Sequence, residues 1–179
     1  MTDRNRCGGC SMCCKIVGVT ELAKPPNKWC EFCAVGSGCR IYQDRPRSCA
    51  AFECFWFSNA WISDELRPDR CKVVFDRMQE ANAVLAMVDP GRPDAWKAKP
   101  VERFIKDLVE RFKIAVVVMH GPNQGRETVY VLPEGRTRED VIAGMKKHGA
   151  GVVSRYAEQE GLPADAAKRA FLKMKESTR

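Results

Sequence analysis

Ten cysteines are the residues of this 179-residue chain best able to do chemistry, and all of them lie between Cys7 and Cys71. The first group reads Cys7-Gly-Gly-Cys10-Ser-Met-Cys13-Cys14. Two residues between cysteines turn the backbone far enough for both thiolates to reach one metal. A third thiolate at the same spacing is the arrangement that wraps three corners of an iron–sulfur cluster. Gly8 and Gly9 permit the close backbone approach such a loop requires. Cys13 and Cys14 are adjacent, so their side chains are expected to diverge into two centres or into one polynuclear centre. The second group is Cys30, Cys33, Cys39, Cys49, Cys54 and Cys71. Cys30-x-x-Cys33 also has the spacing of a redox dithiol, but no βαβ unit is predicted around it.

With ten cysteines and two histidines, the expected centre is all-thiolate, a donor set that suits both zinc and iron–sulfur chemistry. Structural zinc sites usually come as two separated Cys-x-x-Cys pairs, which the crowded Cys7–Cys14 run is not. The triple spacing favours iron–sulfur, of the [4Fe-4S] type, with zinc as the alternative. The lack of a terminal Cys-Pro sets the pattern apart from ordinary ferredoxins. Eight thiolates fill two four-ligand centres and leave two cysteines over.

No apolar run precedes Cys7 and no stretch is long enough to span a bilayer, so a cytoplasmic chain without a secretory signal is expected. In that compartment thiols stay reduced, which makes disulfides the weaker explanation of the cysteines. The formal charge is +7, yet residues 1–90 carry 12 Lys/Arg against 11 Asp/Glu and residues 91–179 carry 18 against 12. Two four-thiolate centres, each with two net negative charges, bring the total to about +3. Nucleic acid is therefore not the expected partner; an unidentified protein partner is, and no membrane is implicated.

The order of residues in Cys39-Arg-Ile-Tyr-Gln-Asp-Arg-Pro-Arg-Ser-Cys49-Ala-Ala-Phe-Glu-Cys54 is distinctive. Together with the Cys7, Cys10, Cys13, Cys14 opening, it resembles a family of bacterial cysteine-cluster proteins described as zinc- or iron-chelating. Cys39, Ile41, Tyr42, Arg45, Pro46, Cys49, Phe52 and Cys54 carry the likeness, which covers roughly residues 7–54. Flagellin lysine methylases have a similar cysteine region, and that similarity implies an iron–sulfur centre. This chain departs from the family pattern at Glu53, where a proline is usual. Cys30 and Cys71 are additions to it.

Tyr42 and Arg45 are candidate cofactor-binding residues: Arg45 and Arg47 can hydrogen-bond sulfur or screen thiolate charge, or form a surface turn. Tyr42, Trp29, Trp56 and Trp61 read as core and as cover over the centre. Cys71 opens a strand, where a buried free thiol is as natural as a ligand. Arg67-Pro-Asp-Arg70 reads as a salt-bridged joint or a solvated turn. His120 and His148, far from the cysteines in sequence, read as structural or surface residues.

The elements that must position these residues divide the chain into a cysteine-cluster region, residues 1–71, and a body, residues 72–179. Pro25-Pro26, Gly36-Ser37-Gly38 and Arg45-Pro46 punctuate the first part, which has too little periodicity to bury a core unaided. Lys72–Asp76 and Ala83–Val88 are predicted as paired strands. Val101, Phe104, Ile105, Leu108, Val109 and Phe112 have helical spacing. Ile114–Met119 and Thr128–Leu132 are a second predicted pair. A helix capped by Thr137 and stopped by Gly149 follows, then helices over 152–160 and 163–176. The expected fold is α+β: an irregular cysteine-ligated part packed on a small, mostly antiparallel sheet with helices. The function this implies is a metal-binding protein in redox, electron transfer or metal handling. One alternative is a zinc-stabilised interaction module meeting an acidic partner or nucleic acid. The other is a cluster-dependent transferase-type enzyme, by analogy with the methylases.

Overall fold

A computed structural model describes residues 9–121 and 127–147. Up to Cys71 the elements are short. Helix α1 is Met12–Ile16, a 3-10 turn is Thr20–Leu22, and the strands β1 (Cys33–Ala34) and β2 (Gly38–Cys39) form a two-stranded antiparallel ribbon. Helices α2 (Arg47–Ala51), α3 (Phe55–Ser58) and α4 (Pro68–Cys71) follow. None of these helices exceeds five residues, below the length at which a helix holds itself together.

The body is a four-stranded sheet in chain order, β3 (Val73–Met78), β4 (Ala83–Val88), β5 (Ala115–His120) and β6 (Glu127–Val131). The outer pairings are antiparallel, with Val73 opposite Val88 and Val116 opposite Val131. The middle pairing, β4 to β5, is parallel, with Val84 opposite Val116. Parallel neighbours need a crossover, and α5 (Lys99–Glu110) supplies it. The fold is thus α+β with a mostly antiparallel sheet, and the one parallel pair makes a βαβ unit in the body, away from Cys30 and Cys33.

Strand alternation sends the two faces of the sheet to different partners. Val73, Phe75, Val84, Ala86, Val88, Val116 and Val118 meet Val101, Phe104, Ile105, Leu108 and Val109 of α5, along with Trp56, Ile62 and Leu66. On the other face, Met78, Ala83, Ala115 and Val117 pack under Val141 and Met145, within residues 138–147, which are helical. At the β3 side of that same face, Val74 and Met87 receive Cys10, Met12, Ile16, Phe52 and Cys54. The cysteine region is therefore built onto the sheet as part of its second covering layer. Ala115 to Val118 are all buried because both faces are covered.

Thr137 caps the helical stretch 138–147 as anticipated. Its Oγ1 accepts the Asp140 N–H at 3.2 Å, and Asp140 Oδ2 accepts the Thr137 N–H at 3.0 Å. The expected stop at Gly149, His148 and the helices over 152–160 and 163–176 lie outside the described residues. Among the described residues no helix is long and apolar enough to cross a membrane.

Candidate metal centre

Seven of the nine described cysteines line one cavity of about 650 Å³: Cys10, Cys13, Cys14, Cys30, Cys39, Cys49 and Cys54. Cys7 lies outside the described residues. Backbone contacts hold the segments around this cavity in place. Cys30 donates its N–H to the Cys14 carbonyl at 3.0 Å, tying the ribbon segment to α1. Gly36 N–H reaches Ser11 Oγ at 3.3 Å, just before α1. A Cβ at Gly9 would stand 2.6 Å from the Gly36 carbonyl oxygen, so only glycine lets the first cysteine loop approach the ribbon this closely. Cys33 and Cys39 are directly opposite across β1 and β2. Cys49 sits in the middle of α2, and Cys54 precedes α3.

The adjacent thiols of Cys13 and Cys14 do not diverge. The Cys14 thiol is in hydrogen-bonding contact with both Cys13 and Cys33, and the contact with Cys13, followed by burial, pushes its pKa up. The short α1 helix turns both side chains toward the cavity they share. Burial, followed by the nearby Cys14, pushes Cys33 up to about 11, with the Ser11 hydroxyl opposing. Burial and then Cys14 also raise Cys49. At neutral pH these thiols keep their protons, which an incoming metal would have to displace. Among the described residues no three His, Cys, Asp or Glu side chains already stand so that together they could hold a metal ion. The sulfurs stand along the cavity wall.

Two cysteines stand apart from that wall. Cys33 is outside the lining but touches Cys14. Cys71 packs against the main core, with its Sγ 3.3 Å from the Val73 carbonyl and 3.4 Å from the Leu66 carbonyl. Burial pushes its thiol up to about 11. Cys10 and Asp69 add to that shift, and Asp69 is ion-paired to Arg67 at 2.9 Å. The Arg67–Arg70 run thus contains a salt bridge at the joint between the two parts.

Tyr42 and Arg45 both line the cavity. The guanidinium lies 3.9 Å above the Tyr42 ring and donates to the Tyr42 carbonyl at 2.7 Å. These contacts turn Arg45 toward its own turn. Phe52, Trp56 and Phe57 supply the apolar cover, and Trp56 is buried. Trp29 and Trp61 depart from the expected cover, being 42% and 60% exposed. Trp61, three residues past α3, joins an aromatic group with Phe55, Phe104 and Phe112 beside α5. His120 packs against Trp96 with ring centres 5.3 Å apart and the planes tilted by 42°.

One residue of the site gave no signal in the sequence. Lys24 is buried, with 9% of its surface exposed, and its ammonium donates to the carbonyls of Lys15, Val17 and Pro25. Cys30, Cys14, Cys49 and Cys13 are the charged or chargeable groups that face it. Burial lowers its pKa and those four sulfurs oppose the shift. A single lysine ahead of Pro25-Pro26 reads as solvated until the chain folds back. No protein-family model, no curated protein and no solved structure matches the chain.

Proposed function

We propose that this protein holds one or more all-cysteine metal centres, of the iron–sulfur type, and serves in redox, electron transfer or metal handling. The observation that carries this is the gathering of seven cysteines, drawn from five separate segments, on the wall of one cavity. Buried thiols with raised pKa values gain little from one another as neutral groups, and a soft cation gives them a common purpose. Closing the sulfurs around metal is then the step that binding itself supplies, as in small domains whose metal completes the fold. Phe52, Trp56 and Phe57 would keep water from such a centre, and the cavity is wider than a single ion needs.

The test is iron, acid-labile sulfide and an absorption spectrum on protein purified without oxygen. Iron and sulfide in matching amounts with a visible band that bleaches on reduction support the proposal. A colourless protein with stoichiometric zinc overturns the iron–sulfur assignment.

The second proposal is a zinc-stabilised interaction module, and a separate observation favours it. Cys33 donates its N–H to the Cys30 carbonyl at 3.0 Å, a tight turn that opens directly into the β1–β2 ribbon. A Cys-x-x-Cys turn entering a hairpin is a common way to present two thiolates to zinc.

A further inference from the structure

We propose that Lys24 is the charge-compensating residue of the metal centre, a buried ammonium fixed beside the sulfurs of Cys13, Cys14, Cys30 and Cys49. This rests on the thiolate-centre reading above and adds a residue that acts on it without binding metal.

The placement is rigid. Val19 and Lys24 exchange backbone hydrogen bonds, each at 2.9 Å, around a tight turn in which Ala23 takes φ 47°. From there the side chain runs inward to three main-chain carbonyls, those of Lys15, Val17 and Pro25. Three acceptors match the three N–H groups of a protonated lysine, which makes this a seat for the cation. Lys15 and Val17 lie one and three residues past Cys14, so the seat is the end of the helix that carries two of the sulfurs.

A buried positive charge is costly unless an anion answers it. Among the described residues, the ion pairs of the cysteine region, Lys15 with Asp89 and Arg67 with Asp69, do not include Lys24. Its own hydrogen-bond acceptors are neutral carbonyls. What faces it electrostatically is the group of four sulfurs. In the thiol state no carboxylate among the described residues is paired with the ammonium. In the thiolate state bound to Zn²⁺ or a [4Fe-4S]²⁺ core, the centre carries two net negative charges and Lys24 cancels one of them. Arg45, the cation singled out from sequence, is turned instead to Tyr42.

Three consequences follow from a fixed charge in this place. Neutralising it weakens metal binding without removing a ligand. Keeping the charge on a different side chain preserves binding. In an iron–sulfur form, the same loss makes the cluster harder to reduce, because an added electron meets less positive potential.

The experiment uses the full chain as wild type and as Lys24→Gln, Lys24→Met and Lys24→Arg. Each is titrated with Cd²⁺ against a competing chelator, and the sulfur-to-cadmium charge-transfer absorption is read. The expected result is affinity lowered about 10-fold or more in the Gln and Met variants and held within about 3-fold in the Arg variant. Far-UV circular dichroism of the metal-free proteins should be alike, which shows that each variant folds. Wild-type affinity in a folded neutral variant overturns the role of Lys24, and so does an Arg variant as weak as the neutral ones. If neither neutral variant folds, the ¹⁵Nζ resonances of lysine in the wild type decide. Lys24 must shift on cadmium loading while Lys97, ion-paired to Asp94, stays in place; an unmoved Lys24 overturns the proposal. A wild type that binds neither cadmium nor iron with sulfide overturns the metal centre itself, a different result from failure of Lys24 alone.

Discussion

The carboxylate of Glu21 holds Ser48 twice: Oε1 accepts the Ser48 N–H at 3.0 Å and Oε2 accepts its hydroxyl at 2.7 Å. Ser48 lies in the first turn of α2, whose N-terminal N–H groups have no cap from their own segment. A residue 27 positions earlier in the chain supplies it, and α2 carries Cys49 to the cavity. Glu21 in turn belongs to the 3-10 turn just ahead of Lys24. One carboxylate therefore sets the helix of one cysteine against the turn that places the buried ammonium.

Glu21→Gln is expected to lower stability by about 0.5–1 kcal/mol at neutral pH, a modest figure because the pair is exposed to solvent screening. Burial works to raise the Glu21 pKa, but the Ser48 hydroxyl and N–H outweigh it and leave it below 4.5. A group with a lowered folded pKa stabilises above its unfolded value and loses that contribution as pH falls through the folded one. Thermal unfolding of wild type and variant should therefore differ above about pH 5.5 and converge in more acid solution.

Cys71 and Cys14 should respond in opposite ways to replacement by alanine. Cys14 lines the cavity and touches two other cysteines, so Cys14→Ala is expected to lose bound metal. Cys71 fills a place beside the main core between two carbonyls. Cys71→Ala should keep its metal and lose about 1–2 kcal/mol from the small hole left behind. Metal analysis with a denaturant titration on each variant separates the two effects.

Gly144→Ala should be strongly destabilising for a surface-layer helix. Its new Cβ would stand 2.5 Å from the Ala81 Cα and 3.0 Å from the Ala81 Cβ. Alanine is ordinarily the better helix residue by about 1 kcal/mol. Here the backbone of the β3–β4 turn is in the way, and a net loss of about 1–3 kcal/mol in urea unfolding is expected.

Lys113→Gly should act in the reverse direction. Lys113, in the turn after α5, takes φ 55°, the left-handed conformation that suits glycine, while Ile114 N–H returns to the Leu108 carbonyl at 2.9 Å. Relieving that strain is expected to add about 0.5–1 kcal/mol, offset in part by the freer unfolded chain. An increase in Tm without change in metal content is the result to look for.

The body was legible because its signals are local. The continuous apolar run Ala83–Val88 marks a strand covered on both faces, and the i, i+3, i+4 spacing through α5 records which side of that helix is buried. Thr137 and Asp140 announced a helix start in the same way. The extra length of β3 beyond Asp76 was not legible, since Arg77 and Met78 look like turn residues until β4 pairs with them. The parallel β4–β5 pairing was hidden for a related reason: register between strands 27 residues apart is set by how α5 packs over them.

In the site, cysteine type and spacing by themselves determined that a thiol-rich centre was to be sought in the first 71 residues, because two intervening residues limit how far paired sulfurs can separate. Only the tertiary structure decided which cysteines share a wall, that Cys71 packs against the core, that Arg45 turns to Tyr42 and that a buried Lys24 faces four of the sulfurs. The physical reason is that burial and charge pairing are properties of the folded surroundings. A lysine on its own in sequence has no environment, and this one acquires its environment when the Val19–Lys24 turn closes against the end of α1.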